Sequence, residues 1–253
     1  MAVREKELRM AIIAQCRTMN AAGLNLGTAG NISVRIGDKM LITPSAVPYD
    51  ALKPPMIAAM PLAGEYGAWA GPVKPSTEWR FHLDIMRARA DVGAIAHFHP
   101  PYCSALAMLH KPILAAHYMI ALFGGSIVRC VKYAPYGTKE LADLVVEGLG
   151  DRHAVLLGNH GALTTGSTLA GAMRRAIELE NLARMYYMAI AAGRPAILSD
   201  DEVMRTVERF KTYGDIDAAA LPAPSRKRAK AKSTKKPKAV AARKPTAGGR
   251  TAK

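Results

Sequence analysis

Residues 91–101, Asp91-Val-Gly-Ala-Ile-Ala-His-Phe-His-Pro-Pro101, read as a buried strand stopped by two prolines. The run is short, apolar and bounded by residues that cannot continue a ladder. Side chains alternate faces along a strand, so His97 and His99 project from one side while Phe98 turns to the other, into a core. Two imidazoles side by side at a strand end stand at about the span from which both reach one ion. A catalytic zinc site with an open position takes three protein ligands. His160 is the candidate third, because the apolar strand Ala154–Leu157 runs into Gly158-Asn-His-Gly161 and delivers that imidazole at a glycine turn. An H-x-H pair is also the mark of two packed or capped histidines, and the local pattern leaves both readings open.

Around this strand, helical and extended patterns interleave. Residues 4–22 carry Leu8, Ile12, Ile13, Cys16 and Met19 at helical spacing, with Gly23 as a stop. A glycine-rich stretch from Leu24 leads into strands over Ile32–Ile36 and Met40–Thr43, joined by the hairpin turn Gly37-Asp38-Lys39. A looser region runs to Pro75, and a helix is expected from Ser76 or Thr77, since either hydroxyl suits the cap position. Further on, the pattern predicts a strand over Ile127–Tyr133, a helix over Lys139–Leu149, a long helix over 168–191 and a last helix over 200–212. The early hairpin argues against a purely parallel sheet. The order predicts an α/β fold of α+β type, one domain with a central mixed or antiparallel sheet covered by helices on both faces.

Half of the 253 residues are hydrophobic, enough for a sizeable core, and no apolar run approaches the length of a membrane span. The N-terminus enters a charged helical pattern without the apolar stretch of a secretory signal. Cys16, Cys103 and Cys130 show no paired spacing, which suits reduced thiols and a cytoplasmic location. The net charge of +15 belongs to the tail: from Leu221 onward there are twelve Lys or Arg and no acidic residue, and subtracting these leaves 23 basic against 20 acidic residues, a body of +3. Without aromatic residues the segment 219–253 cannot bury enough surface to offset its conformational entropy, so it is expected to be disordered beside a catalytic domain over 1–218. It reads as a solvated extension, or as a weak contact for nucleic acid or another acidic surface by counterion release.

Glu78 also has two local readings. It is a carboxylate complementing the positive end of the following helix, or a general base beside a metal. His82, His110, His117 and His153 lack a matching spacing, and His110 and His153 read as surface or packing residues.

Taken together, Gly27-Thr-Ala-Gly-Asn-Ile-Ser33, Leu41-Ile-Thr-Pro44, Ser76-Thr-Glu-Trp-Arg-Phe-His82, His97-Phe-His99, His117-Tyr118, Gly158-Asn-His-Gly161 and Phe210-Lys-Thr-Tyr-Gly214 resemble the class II aldolase/adducin family. The resemblance spans roughly residues 5–215 in the family's order and leaves the tail outside. It implies that His97, His99 and His160 bind one Zn2+ per subunit. Glu78 would be the acid/base and would also approach the metal when substrate is absent. Asn31, Ser45, Ala46, Ser76 and Thr77 fall where the family holds the substrate phosphate, with amides of the Gly27–Asn31 loop. Small residues there let the backbone approach a dianion. Tyr118 falls at the position of a proton donor to the aldehyde oxygen, and Tyr213 at that of a tyrosine reaching a neighbouring active site. A homotetramer with active sites at subunit junctions is implied.

The activity implied is reversible cleavage of a ketose 1-phosphate to dihydroxyacetone phosphate and an aldehyde through a metal-stabilised enediolate. Two positions depart from the family's aldolases. Ser45-Ala46 replaces Thr-Gly, and alanine resists the positive φ that glycine accepts. Tyr136 replaces a phenylalanine near the aldehyde pocket. Decarboxylation or dehydration of a phosphorylated sugar or sugar acid on the same site is the alternative activity. A non-catalytic, adducin-like binding module would lack metal ligands, whereas all three histidines and Glu78 are present. An epimerase would carry an Asp within the segment Ala116–Leu122, which has none.

Overall fold

The computed structural model describes residues 3–211, so the tail read over 219–253, its boundary at 218 and Tyr213 lie outside the described residues. In chain order the elements begin with α1 (Val3–Ala21), β1 (Asn31–Ile36), β2 (Lys39–Ile42), β3 (Ala58–Pro61), α2 (Trp79–Ala88), β4 (Ala94–Phe98) and α3 (Pro101–Met108). There follow β5 (Ile113–Leu114), β6 (Ile127–Val128), β7 (Cys130–Val131), α4 (Lys139–Leu149), β8 (Ala154–Leu157), β9 (Gly161–Gly166), α5 (Leu169–Ala192) and α6 (Asp200–Phe210). Seven strands form one sheet in the order β3-β2-β1-β4-β9-β8-β7, antiparallel except where β7 runs parallel to β8. Strands β5 and β6 pair separately.

Helices cover both faces of the sheet, as the element order predicted. Ile12 and Cys16 of α1, Leu106 of α3 and Ala176, Leu179 and Leu182 of α5 pack on Ile32, Ala94, Ala96 and Phe98. Against the other face, Phe81, Ile85 and Met86 of α2 join Leu141 and Val145 of α4 on Ile42, Ile95, Val155 and Leu163. The alternation along β4 therefore sorts its side chains: Phe98 enters the α1/α3/α5 layer, while Ile95 and His97 face the α2/α4 layer, where the His97 ring meets Phe81 edge-on at 5.3 Å. Phe98 is fully buried, and truncating it to alanine would cost about 3–5 kcal/mol.

Hydroxyl caps set several helix starts. Thr138, Thr168 and Ser199 accept backbone amides of α4, α5 and α6 at 3.1–3.3 Å. Helix α2 differs from the sequence expectation. It begins at Trp79 with Glu78 in the cap position, and the Glu78 carboxylate caps nothing in its own helix. Ser76 Oγ accepts the Glu78 amide instead, at 3.3 Å, which frees the carboxylate to turn toward the histidines. Helix α3 has no side-chain cap of its own, and Glu180 of α5 accepts the amides of Tyr102 and Cys103 at 2.9 Å each. A carboxylate at a helix N-terminus is favourable there and pins the chain just beyond His99.

The expected strand Ile127–Tyr133 is divided, with β6 and β7 in different sheets. The looser region before Pro75 contains β3, and the Pro100-Pro101 stop is also the start of α3. Among the described residues no helix is long and apolar enough to cross a membrane. All three cysteines are free.

Candidate metal centre

His97 and His99 leave the end of β4 on one side, and His160 sits in the turn between β8 and β9. One nitrogen from each ring can be chosen so that all three lie within 4.8 Å of one another. Backbone geometry holds the three rings in place. The amide of His99 donates to Asn25 Oδ1 at 2.7 Å and to Leu24 O at 3.1 Å. Gly161 leaves room for the His99 ring, since a Cβ there would stand 2.5 Å from His99 Cδ2. Asn159 takes a left-handed φ of 51° to make the turn, and its Oδ1 accepts from His110 Nε2 at 2.6 Å. His110, read from sequence as a surface or packing residue, is thus a brace for the His160 turn.

The hydrogen bonds fix the tautomer that matters. His97 Nδ1 lies 2.9 Å from Ala162 O, which can only accept, so Nδ1 carries a proton and Nε2 is the nitrogen turned to the cluster. That Nε2 faces His99 Nε2 at 2.8 Å and Glu78 Oε2 at 3.1 Å, while Glu78 Oε1 lies 3.2 Å from His160 Nε2. Ring nitrogens and a carboxylate thus converge on one point. Such an arrangement suits a divalent cation, and three imidazoles beside a carboxylate are the donor set of a zinc-type centre. A backbone carbonyl on the far nitrogen of His97 is the usual outer support of such a ligand.

Electrostatics agree with this donor set. Burial, followed by repulsion from neighbouring imidazoles, lowers His99 to about 3, and burial and His97 lower His160 to about 4. Both rings are neutral near pH 7 and can ligate. Burial would raise Glu78, but His97, His160 and the Asn31 amide outweigh it and hold the carboxyl below the usual carboxylate range. Behind Glu78 stands a buried chain of hydrogen bonds. Asn31 Nδ2 donates to Glu78 Oε2 at 2.9 Å, Asn31 Oδ1 lies 2.5 Å from His82 Nε2, and His82 Nδ1 lies 2.7 Å from Ser33 Oγ. Burial, with His97 adding to it, lowers His82 to about 3, so it is neutral too.

A cavity of about 360 Å³ opens onto the cluster, lined by Ala29, Thr77, Tyr133, Tyr136 and Asn159 beside Glu78, His99 and His160. Of the residues assigned from sequence to a phosphate, Thr77 lines this cavity. Ser45 and Ser76 are brought close by the pairing of Pro44 with Pro75, with the Ser45 amide on Lys74 O and the Ser76 amide on Thr43 O. Ala46 adopts φ 57°, the conformation alanine resists, so the chain carries this turn without its glycine. Asn31 is buried, with its side chain spent on Glu78 and His82. Tyr118 is 51 % exposed, packs on His117 and Phe210, and is not among the cavity-lining residues. Sequence reasoning missed His82, Ser33 and Tyr133. The spacing of Asn31 and Ser33, two apart in a strand, was the available signal for the first two.

Comparison with known proteins fits this site. The family profile described as "Class II Aldolase and Adducin N-terminal domain" matches residues 10–187. The chain is 46% identical over 217 residues to the 5-methylthioribulose-1-phosphate/5-deoxyribulose-1-phosphate aldolase of Rhodospirillum rubrum, covering 86% of this chain and 96% of the relative. It is 41% identical over 213 residues to the L-fuculose phosphate aldolase of Escherichia coli K12, covering 84% and 98%. Among solved structures, an L-fuculose 1-phosphate aldolase superposes with a TM-score of 0.78 at 37% identity, covering 81% of this chain and 96% of that one. With the histidine cluster intact and its relatives aldolases, this chain belongs to the class II aldolase and adducin family as an enzyme of the lyase kind.

Proposed function

We propose that this enzyme is a zinc-dependent aldolase, one ion per subunit, that reversibly cleaves a ketose 1-phosphate to dihydroxyacetone phosphate and an aldehyde. The observation that carries the reading is the convergence of three imidazoles and an ionised Glu78, with His97 fixed by Ala162 O. When bound, the metal supplies Lewis-acid stabilisation of the electron density left as the carbon–carbon bond breaks. Held ionised, Glu78 takes the proton from the carbon that becomes nucleophilic, and in cleavage returns it. Its Oε1 accepts no aligned hydrogen bond and is the oxygen proposed to take this proton.

The loop Gly27–Asn31, with Ser45, Ala46, Ser76 and Thr77, would hold the phosphate through amides and hydroxyls. Tyr118 would donate a proton to the aldehyde oxygen. Since it is exposed and absent from the lining of its own cavity, the reading places it in a neighbouring subunit's site, together with Tyr213, in a homotetramer. The sugars named for the relatives share a terminal carbon that carries no hydroxyl, and Tyr133 and Tyr136 offer aromatic surface to such an end. The proposed substrate is therefore a deoxy- or thioether-ended ketose 1-phosphate. Three free thiols suit a cytoplasmic setting. The basic run from Leu221 is read as an accessory: a chain ending there should keep cleavage and lose any salt-sensitive nucleic-acid retention.

The test is a panel of L-fuculose, 5-deoxyribulose and 5-methylthioribulose 1-phosphates, ribulose 1-phosphate and sugar-acid phosphates, incubated with zinc-loaded enzyme. Dihydroxyacetone phosphate and carbon dioxide are read separately. Release of the triose phosphate from the deoxy and thioether sugars supports the proposal. Carbon dioxide from the sugar acids alone would replace it with decarboxylation.

A further inference from the structure

Strand β1 places Asn31 and Ser33 two residues apart on the α2 side of the sheet, where both lie buried. Helix α2 drops His82, also fully buried, between them, so that one ring nitrogen meets each. The direction of every hydrogen bond in this chain follows from its far end. Glu78 is a carboxylate and can only accept, so Asn31 must present its NH2 to Oε2 and its carbonyl to His82. The carbonyl can only accept as well, so His82 carries its proton on Nε2. The lone pair then sits on Nδ1, and Ser33 donates its hydroxyl to it. All the donors point one way, from Ser33 through His82 and Asn31 to Oε2.

We infer that Ser33 and His82 are positioning residues that hold the Asn31 amide in this orientation and thereby decide which oxygen of Glu78 acts as the base. Asn31 engages Oε2, while Oε1 accepts no aligned hydrogen bond and lies 3.2 Å from His160 Nε2, in a carboxylate that lines the cavity. If His82 carried its proton on Nδ1 instead, two acceptors would face each other at the 2.5 Å contact with Asn31. The amide would then turn over and present its oxygen to the carboxylate. This inference rests on the reading of Glu78 as the base.

The first measurement is on the full, metal-free chain: the ring 1H–15N correlations of His82, which report its tautomer without any turnover. The expected result is a single Nε2-protonated form across neutral pH, and an Nδ1-protonated or mixed ring would overturn the inference even if every His82 variant failed to fold. The second compares His82→Leu with His82→Gln, whose amide can still donate to Asn31 Oδ1. His82→Leu should lower kcat by about tenfold or more, the loss expected when a hydrogen bond that orients a charged group is removed, with KM and bound zinc unchanged. His82→Gln should recover kcat to within about threefold on the same scale. Wild-type kcat in His82→Leu would overturn the inference while leaving the Glu78 reading intact. Near-normal turnover in Glu78→Gln would instead remove the base, leaving the tautomer to judge the chain of hydrogen bonds alone.

Discussion

Asn31 and His97 stand directly opposite each other across the β1–β4 pairing, and both side chains end at the same oxygen of Glu78, at 2.9 and 3.1 Å. The two carboxylate oxygens are therefore unequal: Oε2 accepts from the Asn31 amide, whereas Oε1 accepts no aligned hydrogen bond. Glu78→Gln should keep the metal and lose about 10²–10⁴-fold in turnover, because an amide cannot accept the proton. Bound zinc and kcat measured on the same preparation check this, and near-normal turnover would reject the role.

His97 is fully buried and anchored by Ala162 O, so no water replaces it without opening the sheet. His97→Ala should abolish stoichiometric metal and lower activity by more than the about 10–100-fold that loss of an outer-shell partner costs. Metal analysis after dialysis is the measurement, and a retained equivalent of zinc would contradict the ligand assignment.

Gly161 is a packing requirement of the centre. A methyl there would stand 2.5 Å from His99 Cδ2 and 2.6 Å from Phe98 O. Gly161→Ala should destabilise the chain by about 1–3 kcal/mol through overpacking and weaken metal binding by displacing the His99 ring. Denaturant melts with and without zinc separate the two effects, and unchanged affinity would show that the ring can yield.

Ala46 holds φ 57°, at a cost of about 1–2 kcal/mol for a residue with a Cβ. Glycine removes that strain but adds back about 0.5–1 kcal/mol of unfolded-chain entropy. Ala46→Gly should therefore stabilise by roughly 0.5–1 kcal/mol, seen as a raised Tm. A lowered Tm would mean that the alanine methyl makes contacts worth more than the strain.

The depressed pKa of His82, about 3 against an ordinary 6.5, predicts a pH dependence in the metal-free chain. Above 6.5 the ring is neutral whether folded or not; between there and about 3 only the unfolded chain takes up the proton. Stability is therefore fully present above the unfolded value and falls as pH drops, by up to about 1.4 kcal/mol per unit for this one group. His82→Gln should show a shallower loss between pH 6.5 and pH 5 in denaturant melts. Parallel slopes would remove His82 as a contributor.

What could be read from sequence was whatever depends on near neighbours. The alternation His97-Phe98-His99 gave the pair of converging imidazoles and their core-facing neighbour, and α4 and β8 fall on the residues their patterns mark. Strand β9, Gly161-Ala-Leu-Thr-Thr-Gly166, was missed because glycine at both ends reads as turn, although every residue in it is buried. Helix α3 was hidden by the two prolines, which end a strand and begin a helix equally well. The environment of Glu78 was illegible for another reason. Its hydrogen-bond partner Asn31 lies 47 residues away, and Ser33 lies 49 from His82, separations that no local pattern reports.

The three imidazoles differ in how firmly the backbone grips them. His97 belongs to β4, the middle strand of the seven, whereas His160 rides on a two-strand turn behind a left-handed Asn159. An ion seated among them would be tethered on one side and latched on the other. Its exchange with solvent should follow the breathing of the β8–β9 turn rather than the far slower opening of the sheet. His110, clasping Asn159 from outside, would then set the residence time of the metal without ever touching it.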